Sequence, residues 1–295
     1  MKLRDKIKIF LKKNIQRGTM VFIILQFTNH PISILKEWIK KRKLLKNYRK
    51  PIFKDFNFKG NKFTLLLDPA NKNTGEQYYL EEYEEDVLNF LTKNLKEESV
   101  FLDIGANIGF YTNLGGAFCK KGKVIAFEPI SKIFNQNEKS IKNNGFDNVN
   151  LIKAACGEKE KEGKIYITNN NVAASSILNR EKTNKVENIK IIKVDDLVKE
   201  KVDIVKMDIE GYEYYALIGM KKILERDHPK MIIELNIPTY ESIKKGMTKK
   251  LLSFLESLGY SLFVIENGKM KKDFFKEENI EKYLLEDYHP NIICT

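Results

Sequence analysis

The stretch Phe101-Leu102-Asp103-Ile104-Gly105-Ala106-Asn107-Ile108-Gly109 decides how this chain reads. Residues 100–104 form a short apolar run of the length of a buried strand, and a helix is expected from about Gly109 to Cys119. Between them the two glycines allow a tight turn and a close approach of a ligand to the backbone. The turn departs from the dinucleotide fingerprint GxGxxG. Counting from Gly105, the second glycine would fall at Asn107 and the third at Phe110. The missing second glycine is the one that makes room for a pyrophosphate. Asn107 fills that approach, and Asp103 adds a carboxylate that repels phosphate and attracts an ammonium or sulfonium group.

Outward from this turn, short apolar runs alternate with helical segments. Strands are expected at 123–127, 149–153, 202–207, 231–235 and 260–265, with helices over 131–143, 213–225 and 241–257. That alternation implies an α/β fold with a doubly wound, mostly parallel sheet. Ligands of such sheets sit beyond the carboxyl ends of the strands. The second strand ends in Ala126-Phe127-Glu128-Pro129, and Glu128 lies 19 residues after Gly109. An acid there is placed to hold ribose hydroxyls. S-adenosylmethionine carries both cations and no phosphate, so it suits this pair of acids. The glycine pattern alone would equally describe a βα turn without a ligand; Glu128 in register favours the adenosyl reading.

Upstream, residues 52–58 and 62–68 read as a hairpin around Lys59-Gly60-Asn61, and 81–95 as a helix. Apolar stretches at 164–168 and 189–194 flank a polar loop. Residues 1–17 read as a basic amphipathic helix, with Leu3, Ile7, Phe10, Leu11 and Ile15 on one stripe. A second helix is expected from near Pro31 to the cluster Lys40-Lys41-Arg42-Lys43. The expected division is a basic helical arm over 1–50, a β-hairpin linker region over 51–77, and the α/β domain over 78–295.

The charge sorts function classes. The 295 residues carry a formal +12, yet residues 1–50 hold 15 Lys and Arg against Asp5 and Glu37, a net of +13. The remaining 245 residues therefore net −1. An enzyme working on nucleic acid would carry basic residues around its cleft, so nucleic acid is not the expected partner. The arm suits peripheral contact with an anionic membrane; a helical extension packed on the body is the alternative. With 42% apolar residues, wholesale disorder is excluded. No apolar run approaches the roughly 20 residues of a spanning helix, and no small-x-small site follows the apolar run at 20–27. Cys119, Cys156 and Cys294 form no CxxC pair and His30, His228 and His289 no ligand spacing. The expectation is a cytoplasmic protein, peripheral at the inner membrane surface through its arm, with no metal among its site residues.

Residues 101–112 (FLDIGANIGFYT), 126–129 (AFEP), 154–158 (AACGE), Ser175-Ser176, Asp195-Asp196-Leu197, 202–213 (VDIVKMDIEGYE) and 231–236 (MIIELN) follow one another in an order that resembles the FkbM-type methyltransferases. The resemblance covers roughly 78–240. The glycine turn points only to class I methyltransferases; Lys-x-Asp-x-Glu-Gly-x-Glu narrows it to this family. It implies a Rossmann-like fold with an antiparallel last strand, and O-methylation of hydroxyls on sugars or other metabolites. By position, Asp103, Gly105 and Gly109 would surround the methionine part of the cofactor, with Asn107 of the same turn a further cofactor-binding candidate. Glu128 would take the ribose, and Ala155 would lie near the adenine. One departure is Tyr212, where the family often has His. The acceptor is expected to be a small molecule or glycan; the rivals are a methyltransferase of nucleic acid or protein, and a non-catalytic protein docked through its arm.

Asp208, Glu210 and Glu213 follow the fourth strand. A carboxylate at Glu213 favours the helix start. An acceptor hydroxyl must lose a proton, and Asp208 and Glu210 are equal candidates to take it, with Glu234 after the fifth strand as a third. They could instead bind acceptor hydroxyls or a divalent cation. Lys206 shares a strand face with Asp208 and could pair with it.

Overall fold

A computed structural model describes residues 40–168, 175–178, 185–266, 268–272 and 289–295. The chain divides into two compact units, Met1–Lys50 and Pro51–Thr295. In the first, residues 40–45 are helical, taking in the Lys40–Lys43 end of the second expected helix; the helix expected over 1–17, the rest of the one from Pro31 and residues 169–174 of the polar loop lie outside the described residues. No helix among the described residues is long and apolar enough to cross a membrane.

The second unit opens with an antiparallel hairpin of β1 (Ile52–Phe58) and β2 (Asn61–Leu67). Gly60, at φ +84°, makes its turn. The hairpin lies on the helices that follow. Thr64 N–H donates to Asn144 Oδ1 at 2.7 Å and Leu66 N–H to Ser140 Oγ at 2.9 Å. Phe56 and Phe63 pack around Phe110 with ring centroids 5.4 and 5.6 Å away. Two helices come next, α1 (Lys72–Tyr79) and α2 (Glu85–Asn94). The single helix expected over 81–95 is therefore shorter, because Glu81 at φ +62° ends the preceding turn.

The core sheet is laid down by β3 (Val100–Ile104), α3 (Phe110–Phe118), β4 (Lys123–Phe127), α4 (Ser131–Asn144) and β5 (Val149–Ile152) on one side. The chain then makes a small three-stranded sheet from β6 (Ala155–Cys156), β7 (Lys161–Tyr166) and β8 (Val186–Ile192). The two apolar stretches flanking the polar loop become its β7 and β8, paired antiparallel. After α5 (Val194–Leu197) the chain returns to the centre with β9 (Ile204–Met207), α6 (Glu213–Gly219), α7 (Lys221–Asp227) and β10 (Lys230–Glu234). It finishes with α8 (Ile237–Ile243), α9 (Met247–Ser257), β11 (Leu262–Glu266), β12 (Lys269–Lys271) and β13 (Asn291–Cys294). The strand order is β12-β11-β13-β10-β9-β3-β4-β5. From β5 to β10 every pairing is parallel; β13 runs antiparallel between β10 and β11. The central strands are apolar and buried along most of their length, as a sheet covered on both faces requires.

The expected doubly wound, mostly parallel fold and its antiparallel last strand are both present. Two expected helices are broken: 213–225 divides at Met220, and 241–257 divides before Gly246, which sits at φ +83°. Residues 260–265 are not the last strand, since β12 and β13 follow. The three cysteines are buried and free.

Candidate active site

Sheet order reverses between β3 and β9, and a crevice opens there at the carboxyl ends of the strands. Four chain segments meet in it: the turns after β3, β4, β9 and β10.

The β3 turn is hydrogen-bonded to the strand beside it. Gly105 and Ala106 N–H both donate to Phe127 O, at 3.1 and 2.9 Å. Gly105 lies at φ +85° and Gly109 at φ +93°, where a side chain is strained. What presses on them is protein. A Cβ on Gly105 would stand 1.9 Å from the Asp208 carbonyl oxygen, and one on Gly109 2.0 Å from Asn137 Oδ1. Gly105 thus lets the β9 turn pack close to the β3 turn, and Gly109 lets α4 approach it.

Asp103 is fully buried. Its Oδ2 accepts from Thr112 Oγ1 at 2.6 Å, while Oδ1 has no partner. Burial raises its pKa, against the pull of Lys206 and Thr112. Glu128 is 5% exposed, and its oxygens accept from Asn107 N–H at 3.0 Å and Ile130 N–H at 2.8 Å. Burial nevertheless pushes it up to about 7. Glu128 and Asn107 thus clamp the β3 and β4 turns together around the crevice, with Asn107 itself at φ +50°.

One pocket runs along this clamp. Glu128, Asn107 and Gly105 line it on one side. Ile130, Ile133, Ala155, Ile165 and Ile177 supply an apolar slot, suited to a flat aromatic ring. Asp208 and Glu210 close its end. A second pocket adjoins it and shares Gly105, Asn107, Asp208 and Glu210. Its other walls are Gln77 and Tyr78 of α1, Glu84, Tyr111, Lys206 and Glu234. Of the nine expected site residues, seven therefore line one pocket or both, and Asp103 and Gly109 stand behind the turn.

The three acids expected to do chemistry differ. Asp208 has Lys206 Nζ 3.4 Å from its Oδ2, so the expected pairing is formed. Lys206 is buried, which alone would lower its pKa, but Asp208, Asp103, Glu84 and Glu234 together hold it above the ordinary lysine value. Glu234 is pushed far above the carboxyl range, first by burial and then by Asp208, to which it hydrogen-bonds. Glu210 sits at φ +56° in the turn after β9, with Oε2 accepting from Asn236 Nδ2 at 3.0 Å and its carbonyl from Ser176 Oγ at 2.9 Å. Glu213 shapes that turn. Its Oε1 accepts from Ile209 and Gly211 N–H at 3.0 and 3.1 Å, and the Tyr240 hydroxyl donates to Oε2.

Gln77, Tyr78 and Glu84 were not found by sequence reasoning. They precede the central sheet; Gln77 and Tyr78 reach the crevice where α1 packs over α3, with the Tyr78 and Phe110 rings stacked at 4.3 Å, and Glu84 reaches it at the start of α2, where the Tyr111 hydroxyl donates to it. Among the described residues no group of three or more His, Cys, Asp or Glu side chains is arranged to hold a metal ion.

A family model described as the methyltransferase FkbM domain matches residues 103–262, more than half the chain. The chain belongs to the FkbM methyltransferase family. The match takes in the crevice from the β3 turn to Glu234 but not Glu84. A curated relative, the hexuronic acid methyltransferase AglP of Haloferax volcanii, is 31% identical over 147 residues, 48% of this chain and 58% of the relative. The chain thus spans little more than half of that protein. A solved FkbM methyltransferase from Methylobacillus flagellatus superposes with a TM-score of 0.47 at 15% identity, over 90% of this chain and 61% of that one. A fibrillarin from Aeropyrum pernix, solved with S-adenosylmethionine, gives 0.43 at 13%, over 85% and 86%.

Proposed function

We propose that the chain is an S-adenosylmethionine-dependent O-methyltransferase acting on a hydroxyl of a sugar, glycan or related metabolite. The observation that carries this reading is the pair of adjoining pockets, one an apolar slot beside Glu128, the other polar, meeting at Asp208 and Glu210. The residues present fit the cofactor. Glu128 faces the slot with a carboxylate that can accept from ribose hydroxyls, and Ala155 and Ile133 flank the place of the ring. When bound, the cofactor supplies a methyl group on a positively charged sulfur that leaves readily.

The protein's part is then to hold the acceptor oxygen in line and take its proton. Glu234, raised by burial and by Asp208, is the least suited of the three to be the base, and it hydrogen-bonds to Asp208. Asp208 and Glu210 remain as proton acceptors. Lys206 fixes Asp208 and offsets part of the negative charge. The AglP relative, named for hexuronic acid, supports a sugar acceptor. Residues 1–50, at net +13, are read as a tether to an anionic membrane near that acceptor.

The experiment is transfer of labelled methyl groups into a glycan and small-metabolite extract by the full chain. Asp208→Asn and Glu210→Gln should each be compared with the parent, and the base should lose about 10²–10⁴-fold in kcat. Binding of S-adenosylmethionine by calorimetry should survive both changes. Absence of cofactor binding by the parent, or label entering only RNA or protein, defeats the reading. Removal of residues 1–50 should abolish binding to anionic vesicles and spare cofactor binding; equal vesicle binding without them defeats the tether.

A further inference from the structure

We infer that Lys206 receives the carboxylate at the methionine end of the cofactor, and that the glycine turn after β3 does not. This rests on the S-adenosylmethionine reading and deepens it.

The turn has its own donors engaged. Gly105 and Ala106 N–H both donate to Phe127 O, Asn107 N–H to Glu128 Oε2 at 3.0 Å, Ile108 N–H to Asn107 Oδ1 at 2.8 Å, and Gly109 N–H to Ala106 O at 3.0 Å. A carboxylate that leaves water needs donors in exchange, and each N–H from Gly105 to Gly109 already has a protein acceptor. The turn nonetheless lies along the cofactor's path. With the ring in the apolar slot and the ribose at Glu128, the rest of the molecule continues past Gly105 and Asn107, which the two pockets share, into the polar one.

There Lys206 is the one Lys or Arg among the described residues that line either pocket. It is 6% exposed, and β9 fixes its place beside Asp103 of β3, its partner in the sheet register. An ammonium carries three N–H donors. Among the described residues, that of Lys206 donates to Asp208 Oδ2, at a long 3.4 Å, and stands 5.3 Å from the centre of the Tyr111 ring. Donors thus remain for a ligand on a side chain that folding has taken out of water. The acids of the pocket do not bar this end of the cofactor, because it is a zwitterion. Its ammonium meets the carboxyl oxygens of Glu84 and Asp208, and a carboxyl group can accept in either protonation state.

The test is calorimetric binding of three probes to the full chain: S-adenosylhomocysteine, its carboxamide, and methylthioadenosine, which lacks the amino-acid end. The parent should bind S-adenosylhomocysteine at least about tenfold more tightly than the carboxamide, as expected for a hydrogen bond between two charged groups. Lys206→Met should remove that gap and leave methylthioadenosine binding unchanged. Equal binding of the first two probes by the parent, or a gap that persists in Lys206→Met, overturns the inference. Should Lys206→Met fail to bind methylthioadenosine, a crystal structure of the parent with S-adenosylhomocysteine decides. A carboxylate oxygen about 3 Å from Lys206 Nζ is expected; a carboxylate seated on the N–H groups of the β3 turn or of the start of α3 overturns the assignment. A parent that binds none of the three probes defeats the S-adenosylmethionine reading itself, whereas binding of all three with no preference for the carboxylate defeats only the role of Lys206.

Discussion

Glu128→Gln should change how stability depends on pH, and the size of the change follows from where Glu128 sits. Its carboxylate accepts two backbone hydrogen bonds, which favour the charged form, but burial opposes it more strongly, with Asp103 and Glu187 adding repulsion. The outcome is a pKa near 7 in place of the ordinary 4.5. As pH rises, the unfolded chain releases this proton near 4.5 while the folded protein keeps it until about 7. Through that window the folded state binds more protons, so stability falls with rising pH. The contribution is complete below 4.5 and lost once pH has passed 7. At about 1.4 kcal/mol for each pH unit, the loss is about 3 kcal/mol. Glutamine cannot ionise and lacks the slope. Urea unfolding of both proteins at intervals from low to slightly alkaline pH isolates the effect, because every other group cancels in the difference. The variant should gain about 3 kcal/mol on the parent across the window. A difference that stays flat would refute the reasoning. The same variant should bind S-adenosylmethionine about tenfold more weakly above pH 7, since an amide cannot replace the charge-assisted bonds of a carboxylate to ribose hydroxyls. A more stable protein that binds less well would identify Glu128 as a residue retained for its ligand.

Two further outcomes follow from the turns. Gly105→Ala meets the Asp208 carbonyl as well as a positive φ, whereas Gly60→Ala has the same φ and open space around it; urea unfolding should show losses of about 3 kcal/mol for the first and about 1 kcal/mol for the second, and equal losses would contradict the packing of the β3 and β9 turns. Glu213→Gln and Tyr240→Phe share one buried hydrogen bond; a double-mutant cycle of stability should give a coupling of about 1–3 kcal/mol, and simple additivity would contradict that bond.

Legibility in this sequence tracks how local the determining contacts are. β3, β4 and β9 could be read because a strand buried on both faces writes itself as a short apolar run, and each is followed within a few residues by its glycine or acid. β13 could not. Asn291-Ile292-Ile293-Cys294 is four residues long, and only its partners β10 and β11 make it a strand. The site divides in the same way. Asp103, Glu128 and Asp208 were legible because each sits at a strand end, and the fold sends all strand ends of a parallel sheet to one edge. Glu84 carries no such mark; it becomes a pocket wall only when the Tyr111 hydroxyl of α3 holds its carboxyl. The chemistry of Glu234 was hidden more deeply, since its position could be read but its raised pKa could not. That shift depends on burial and on Asp208, a residue 26 positions earlier in the turn after β9. A strand-end acid in a sequence therefore announces a place in the crevice, while its charge state belongs to the neighbours that folding supplies. For this chain the consequence is concrete: three acids that looked alike in the sequence stand in different surroundings, Asp208 beside Lys206, Glu234 buried against Asp208, and Glu210 bonded by Asn236.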